Sequence, residues 1–293
     1  MQNQSDYFIN QELVEEMVRL NRQAALVTQE MGGVLAEQPE PAVFNDVLDL
    51  ACGPGEWAMQ AARSFLHFQV VGVDKSRRMI AYAQAQAEAQ ERGVMFRVMD
   101  ITEPLDFADG SFDLVNGRFL LCFLKREQWL PLLTECFRLL RPGGVLRITE
   151  QESGFANDPI YQQYMNLWGM AWSKAGHAFA HTPAYIGVTV EMKNLLRQAG
   201  FVAPRHRPIA IDLSTGQPTH QPLLENLVEA LKLASPFLVR LNVTTQKKIN
   251  TLHDEMKGLI GKEGFSAYWL LQTVWSTKPG NNGMVAAASK AER

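Results

Sequence analysis

The chain has 293 residues, of which 46% are hydrophobic and 20% charged, and its formal net charge at pH 7 is −3. These values are typical of a globular enzyme, and the lack of a long basic run argues against a nucleic-acid backbone as partner. No apolar run approaches the ~18 residues of a membrane span, the N-terminal segment lacks a signal-peptide pattern, and the three cysteines lack CxxC spacing. We therefore expect a cytoplasmic protein without a membrane span, disulfide or metal site.

The first predicted element is an amphipathic helix over Gln11–Gln29, in which apolar residues recur every three or four positions. Glu15 is expected to pair with Arg19 one turn later. Because this helix precedes the first strand, residues 1–40 are predicted to form an N-terminal appendage. Two interpretations stay open: the helix packs on the core, or with Tyr7 and Phe8 it forms a lid over a bound ligand.

The stretch Val47–Ala58, VLDLACGPGEWA, predicts a buried strand, a glycine turn and the start of a helix. Glycine lets a backbone approach a ligand, and a helix N-terminus offers free N–H groups. The positions of Asp49, Gly53 and Gly55 resemble motif I of the class I S-adenosylmethionine (SAM) methyltransferases, D-x-x-x-G-x-G. The dinucleotide fingerprint G-x-G-x-x-A also fits, with Ala58 in third place. The carboxylate in the strand favours a cationic ligand, because it would repel a pyrophosphate.

Two further acids follow predicted strands. Asp74 ends the strand Gln69–Val73, about 20 residues after the glycine turn, where a carboxylate can accept hydrogen bonds from ribose hydroxyls. Asp100 follows the strand Val94–Val98. The ribose is common to SAM and to nicotinamide dinucleotides, so Asp74 alone does not distinguish these cofactors.

Two longer phrases extend the resemblance. SFDLVNGRFLLCF, which begins at Ser111, looks like motif IV of the branch that acts on small molecules and lipids, and it lacks the [DNS]-P-P-[YF] of enzymes that methylate nucleic-acid amino groups. LLRPGGVLRITE resembles the family's fifth strand, here Val145–Thr149, after a turn. Three strand-end acids and these phrases, in the right order across about 100 residues, identify the chain as a member of the class I SAM-dependent methyltransferases.

The resemblance implies an α/β fold: a Rossmann-like, doubly wound, seven-stranded, mostly parallel sheet with helical insertions that form a lid. Strand seven, Ala267–Thr277, is expected to run antiparallel. Residues 41–278 are predicted to form this domain, with insertions at about 155–185 and 217–260, and residues 279–293 a flexible tail.

The resemblance also implies roles for individual residues. Asp100 and Ile101 would bind the adenine, which Met79 would also touch, and Asn116 and Gly117 would lie along the methionine part of SAM. Arg118 would lie near the methyl group, although a surface ion pair is an equally good interpretation. Cys52 is interpreted as a small buried residue. The predicted cofactor-binding residues are Asp49, Ala51, Cys52, Gly53, Gly55, Asp74, Lys75, Met79, Asp100, Ile101, Asn116, Gly117 and Arg118.

A helix predicted to begin at Asp158-Pro159 carries an aromatic stripe that starts at Tyr161. Such a stripe commonly belongs to the core. The alternative is an apolar pocket for the methyl acceptor, because the insertion follows strand five at the edge where open α/β sheets bind ligands. The candidate substrate-binding residues are Tyr7, Phe119, Tyr164, Trp168 and Trp172.

The methyl group of SAM is already activated, so the protein has to position the acceptor and exclude water. A general base is needed only if the acceptor must lose a proton. The candidate bases are His177, His181, His220 and Glu150, and for each histidine a structural role is favoured. No residues have a convincing metal-ligand spacing, so the catalytic residue stays unassigned.

The sequence thus predicts a SAM-dependent methyltransferase that transfers a methyl group by in-line displacement to an O, N or C atom, leaving S-adenosylhomocysteine. The acceptor is expected to be a small, partly apolar or aromatic metabolite, with neither nucleic acid nor membrane as partner, and the enzyme a monomer or homodimer. One alternative is a SAM-binding protein of the same fold without methyl transfer, either regulatory or a lyase or cyclase. The other is a nicotinamide-dependent oxidoreductase, which would leave Asp49 and Asp100 unexplained.

Overall fold

A seven-stranded sheet with helices on both faces organises the chain in this computed structural model, which describes residues 8–10, 13–90 and 93–280. The strands are β1 (Asp46–Leu50), β2 (Gln69–Asp74), β3 (Met95–Val98), β4 (Phe112–Arg118), β5 (Leu140–Ala156), β6 (Val202–Asp212) and β7 (Ala267–Thr277). The helices are α1 (Val14–Glu30), α2 (Glu56–Ser64), α3 (Arg77–Ala89), α4 (Trp129–Leu139), α5 (Pro159–Ala175), α6 (Val188–Gln198), α7 (His220–Arg240) and α8 (Gln246–Gly258).

The strand order is β3-β2-β1-β4-β5-β7-β6. Neighbouring strands from β3 to β5 are parallel, whereas β7 runs antiparallel to both β5 and β6. This confirms the predicted doubly wound sheet with an antiparallel seventh strand, and the predicted bounds of β7 are correct. The order reverses between β1 and β4, and this switch point opens a crevice at the carboxyl ends of the strands.

Strand β5 is much longer than the predicted Val145–Thr149. Its partner β7 explains the difference, because β7 pairs with β5 from Val145 to Ala156, with one irregularity between Gln151 and Ser153. The predicted turn before the strand survives as an irregularity within it, where Gly143 has φ of 85°.

Two apolar cores fill the faces of the sheet. The smaller core lies under α2 and α3, and the larger one joins α4 and α6 to the inserted helices α5, α7 and α8. Both predicted insertions are helical, and the second meets the N-terminal helix, because α7 packs against α1 as well as α8. None of the helices in the described part combines the length and apolar character of a membrane span. From residue 281 onward, the predicted flexible tail lies outside the residues that the structure describes.

The described part of α1 begins at Val14, and the predicted ion pair between Glu15 and Arg19 is wrong. Arg19 instead pairs with Glu16, with Nε and Oε2 2.7 Å apart, and both side chains are buried. The reason is that α7 covers this face of α1, where Arg19 Nη1 also donates to Asn226 Oδ1 at 3.0 Å. Glu15 lies on the exposed face.

Candidate active site

The turn between β1 and α2 forms the floor of the crevice. Ala51, Gly53 and Gly55 all have positive φ, at 48°, 54° and 84°. A Cβ on Gly55 would lie 2.6 Å from the Phe96 ring, so packing requires glycine there. A Cβ on Gly53 would meet no protein atom within 4 Å. The backbone at Gly53 is therefore open to a ligand.

A cavity containing about 1280 Å³ of empty space, open solvent at its mouth included, lies between this turn, the end of β4 and helices α1, α5 and α7. One wall carries polar and glycine residues of the strand ends, and the opposite wall is aromatic. The first wall includes Asp49, Ala51, Cys52, Gly53, Asp74, Met79 and Arg118. The second includes Phe119, Tyr164, Trp168, Trp172 and Trp269.

Asp74 is fixed by the backbone on both sides. Its Oδ2 accepts from Gly53 N–H at 3.0 Å and its Oδ1 from Ser76 N–H at 2.8 Å. Burial raises the pKa of Asp74, and these two N–H groups oppose that effect. Each carboxylate oxygen keeps a second lone pair, so Asp74 can also accept from a ligand hydroxyl.

A smaller groove of about 270 Å³ adjoins the cavity, with which it shares Ala51, Asp74 and Phe123. Lys75, Asp100 and Ile101 line this groove, next to Met99. Asp100 Oδ1 accepts from Thr102 N–H at 2.9 Å, which fixes the loop. The structure thus brings the three predicted residues Lys75, Asp100 and Ile101 to one recess beside Asp74.

Asp49 is the innermost member of a buried polar chain. Its Oδ1 accepts from Asn116 Nδ2 at 2.7 Å, and Asn116 Oδ1 accepts from Arg147 Nη1 at 2.6 Å. Arg147 Nε lies 2.7 Å from Glu37 Oε1. Burial raises the pKa of Asp49 to about 6, against the effect of the Asn116 hydrogen bond. In the described structure Asp49 Oδ2 has no hydrogen-bond partner, so it can bind a cation.

Arg118 is a partly buried cation at the end of β4. Burial lowers its pKa to about 10, and its Nη1 donates to the Thr28 hydroxyl of α1 at 3.0 Å. The surface ion pair that the sequence left open is therefore wrong. A carboxylate from Asp49 and a guanidinium from Arg118 in one cavity suit the two charged groups of an amino acid.

Three predicted ligand contacts shape the site without lining the cavity. Gly55 is needed for packing, as described above. A Cβ on Gly117 would lie 2.9 Å from Leu120 Cδ1 and 3.2 Å from Ile148 Cδ1, so this glycine also serves packing. Asn116 is fully buried and orients Asp49. These residues act through their neighbours, which the resemblance alone does not reveal.

None of the predicted histidines is among the residues that line the cavity in the described structure. His177 is buried, with Nδ1 2.7 Å from the Leu121 carbonyl oxygen. Both ring nitrogens of His220 lie within 2.9 Å of carbonyl oxygens, those of Leu213 and Ile260. His181 is exposed in a turn. Their surroundings indicate structural roles.

Glu150 is also absent from the cavity lining. Its Oε1 accepts from Leu120 N–H at 2.7 Å, and burial raises the pKa of Glu150 well above its usual value. It therefore fixes the turn after β4, in which Phe119 has φ of 55° and reaches the cavity. The structure gives Glu150 a positioning role.

Stacked rings build the aromatic wall. Trp168 and Trp172 have centroids 5.4 Å apart at 27°, and Phe119 and Trp269 have centroids 5.8 Å apart at 12°. Tyr161, on the same stripe, lies outside the cavity and packs against Phe265. The sequence analysis did not predict Trp269 as a cavity residue, because β7 is adjacent to β5 in the sheet but distant from it in the sequence. The candidate Tyr7 lies outside the described residues.

We expect Gly53→Ala to weaken cofactor binding about tenfold or more, because its methyl group would occupy the open cradle. The positive φ adds a strain cost of roughly 1–2 kcal/mol to folding. Gly216→Ala is the matched control, since Gly216 has φ of 92° and equally open surroundings but lies away from the cavity. Calorimetric titration and denaturant unfolding of both variants separate the two effects, and equal binding by both would contradict this role of Gly53.

A doubly wound sheet with an antiparallel seventh strand, a glycine turn and strand-end acids defines the class I SAM-dependent methyltransferases. The family described as "Methyltransferase domain" matches residues 47–144. Residues 47–144 of this chain are thus a methyltransferase domain, and SAM is its cofactor. The open cradle at Gly53 and the partly unpaired Asp49 fit that cofactor.

Several proteins are similar to parts of the chain. A demethylmenaquinone methyltransferase of Lactococcus lactis is 28% identical over 55% of this chain and 67% of its own length. The trans-aconitate 2-methyltransferase of Deinococcus radiodurans is 36% identical over 41% of this chain. That match covers only 42% of the relative's own length. Among solved structures, phosphoethanolamine N-methyltransferase 2 of Haemonchus contortus has a TM-score of 0.53 at 22% identity, over 86% of this chain and 52% of its own. It shares the fold.

Proposed function

We propose that this protein transfers a methyl group from SAM to an O, N or C atom of a small, partly apolar or aromatic metabolite. The observation that carries the proposal is that one cavity joins Asp49, Gly53 and Asp74 on one wall to stacked aromatic rings on the other. Such a cavity can bind a polar cofactor beside an apolar acceptor. The named relatives, which are methyltransferases of demethylmenaquinone and trans-aconitate, support a small-molecule acceptor.

The polar wall offers a partner for each part of the cofactor. Asp74 would accept from the ribose hydroxyls, and Asp100 with the backbone of Ile101 would bind the adenine from the adjoining groove. Asp49 would bind the ammonium group, and Arg118 the carboxylate. Opposite charges at matching positions orient the cofactor as well as holding it.

SAM supplies a methyl group that is already activated by its sulfonium sulfur. The residues of the chain then have to align the acceptor and exclude water, and alignment of this kind can supply up to ~7–11 kcal/mol. The aromatic wall, including Trp168 and Trp172, excludes water from the acceptor's side of the cavity. No side chain has to act as a base unless the acceptor arrives protonated.

Calorimetry with SAM, S-adenosylhomocysteine and NAD tests the proposal. We expect micromolar or tighter binding of the first two, and Asp74→Ala to weaken it about 100-fold, because it removes hydrogen bonds to a charged group. Asp106→Ala is the control, since Asp106 is exposed and away from the cavity. Preferential binding of NAD would favour an oxidoreductase and overturn the proposal. SAM binding without S-adenosylhomocysteine formation across a metabolite panel would favour the non-methylating alternative.

A further inference from the structure

Two glutamines that line the cavity have their amide orientation fixed by the protein. Gln151 Oε1 accepts from Trp269 Nε1–H at 3.2 Å, and Gln23 Oε1 accepts from Arg19 Nη1–H at 2.7 Å. An indole and a guanidinium can only donate, so each glutamine must turn its oxygen toward that partner. Within the described part of the chain, neither amide NH₂ group has a hydrogen-bond partner. Both are thus available as donors to a bound molecule.

A third donor lies in the same cavity. Trp172 is only 5% exposed, lines the aromatic wall, and its buried Nε1–H has no hydrogen-bond partner within the described structure. A buried donor that stays unpaired is unfavourable, so a ligand that pairs it gains affinity. Gln23, Gln151 and Trp172 are therefore neutral donors among the residues that line the cavity.

The acceptor's side of the cavity offers few groups that could receive a proton or bind a cation. Burial raises the pKa of Tyr164 and of Cys122, so both stay neutral at physiological pH. Asp49 and Asp74 lie on the cofactor's wall. Arg19 adds positive charge there, balanced by Glu16. Several donors with few acceptors favour an electron-rich oxygen over an amine, whose own N–H groups would lack partners.

Resting on the proposed function, we propose that the acceptor is a hydroxylated aromatic ring whose oxygens accept from Gln23, Gln151 and Trp172, and that it is methylated at oxygen as its oxyanion. The stacked rings of the aromatic wall match a planar ring. The hydroxyl proton is released to bulk water before the ring enters the cavity. An oxygen lone pair then forms the new O–C bond, while the S–C bond of the cofactor breaks and its electron pair stays on sulfur.

Calorimetry on the protein saturated with S-adenosylhomocysteine tests this substrate class with 1-naphthol and 1-naphthylamine, which share a ring system. We expect the naphthol to bind at least about tenfold more tightly. Gln151→Glu keeps the acceptor for Trp269 N–H but removes the free donor, so naphthol binding should fall about tenfold while S-adenosylhomocysteine binding stays constant. Gln163→Glu, on the exposed face of α5, is the control and should change neither. Equal binding of both probes, a preference for the amine, or binding of neither overturns the inference.

The pH dependence of methyl transfer provides a second readout. With no base in the protein, the midpoint of kcat/KM against pH should move with the acidity of the phenol when 1-naphthol is replaced by 4-nitrophenol. A midpoint that stays fixed for both phenols would reveal a base in the protein and contradict the proposed oxyanion. Methyl transfer to amines but not to phenols would contradict this inference and leave the proposed function intact. Failure to bind SAM would overturn the proposed function itself.

Discussion

Asp49→Asn is expected to weaken SAM binding at least about 100-fold and, at the same time, to stabilise the ligand-free protein. The loss of affinity follows because the variant leaves the ammonium group of the cofactor without its buried counter-charge. The gain in stability follows because burial raises the pKa of Asp49 to about 6 from 3.8, so the ionised carboxylate opposes folding above that pH. The gain in the free energy of unfolding at pH 7.5 should be about 1–3 kcal/mol.

The pH dependence of this effect has a defined sign. As the pH falls from about 6 toward 3.8, wild-type Asp49 takes up its proton in the folded state, so the advantage of the variant should disappear. SAM binding by the wild type should weaken over the same range. Urea unfolding and calorimetry at several pH values measure both. Asp46→Asn is the control, because Asp46 lies on the same strand but pairs with Arg141 near the surface. A variant that is less stable than the wild type at pH 7.5 would contradict the proposed cost of Asp49.

Arg147→Met is expected to lower the free energy of unfolding by about 3–5 kcal/mol, because it leaves Glu37 charged, buried and unpaired. Asn116 would also lose a donor, which loosens Asp49 and weakens SAM binding. The double variant Glu37→Leu/Arg147→Met removes both charges and should recover most of the stability but not the orientation of Asn116. Urea unfolding of the two single variants and the double variant measures the coupling.

Two observations test this ion pair further. Arg141→Met, on the same strand, should cost no more than about 1 kcal/mol, because its partners Asp46 and Asp113 lie near the surface. Burial opposes ionisation of Glu37, but the Arg147 guanidinium still holds the pKa of Glu37 below its usual value. The stability that the pair contributes should therefore be present above the unfolded value of about 4.5 and disappear as the pH falls through the lower folded value. Equal stability of the Arg147 single variant and the double variant would argue against this pairing.

The parts of the fold that sequence reasoning found depend on neighbours along the chain. The turn at Gly53 and the acid Asp74 follow from a local pattern of strand, glycine and helix, and the bounds of β7 follow from its composition. The length of β5 could not be predicted, because it depends on a partner strand more than 100 residues later. Local spacing also chose the wrong partner for Arg19, since it could not show that α7 covers that face.

The site was predicted in the same uneven way. Several residues that the motifs predicted for cofactor binding line the cavity, whereas Asn116 and Gly117 do not, because their roles depend on what packs around them. The sequence did not reveal Gln23 and Gln151 as donors. Glutamine is common, and each amide is oriented by a side chain, Arg19 or Trp269, that binds its oxygen and leaves its NH₂ group free. The pair Arg147–Glu37 was missed for the same reason, with 110 positions between its members.

The two walls of the cavity have different origins in the chain, and this has a consequence for redesign. The cofactor's wall comes from the segment between Asp49 and Arg118, whereas the aromatic wall is assembled from the turn after β4, from α5 and from β7. Substitutions at Trp172 or Trp269 can thus alter which acceptor molecules bind, while the wall that binds SAM is unchanged. A library of variants confined to those three elements would change the acceptor specificity while the SAM-binding residues stay the same.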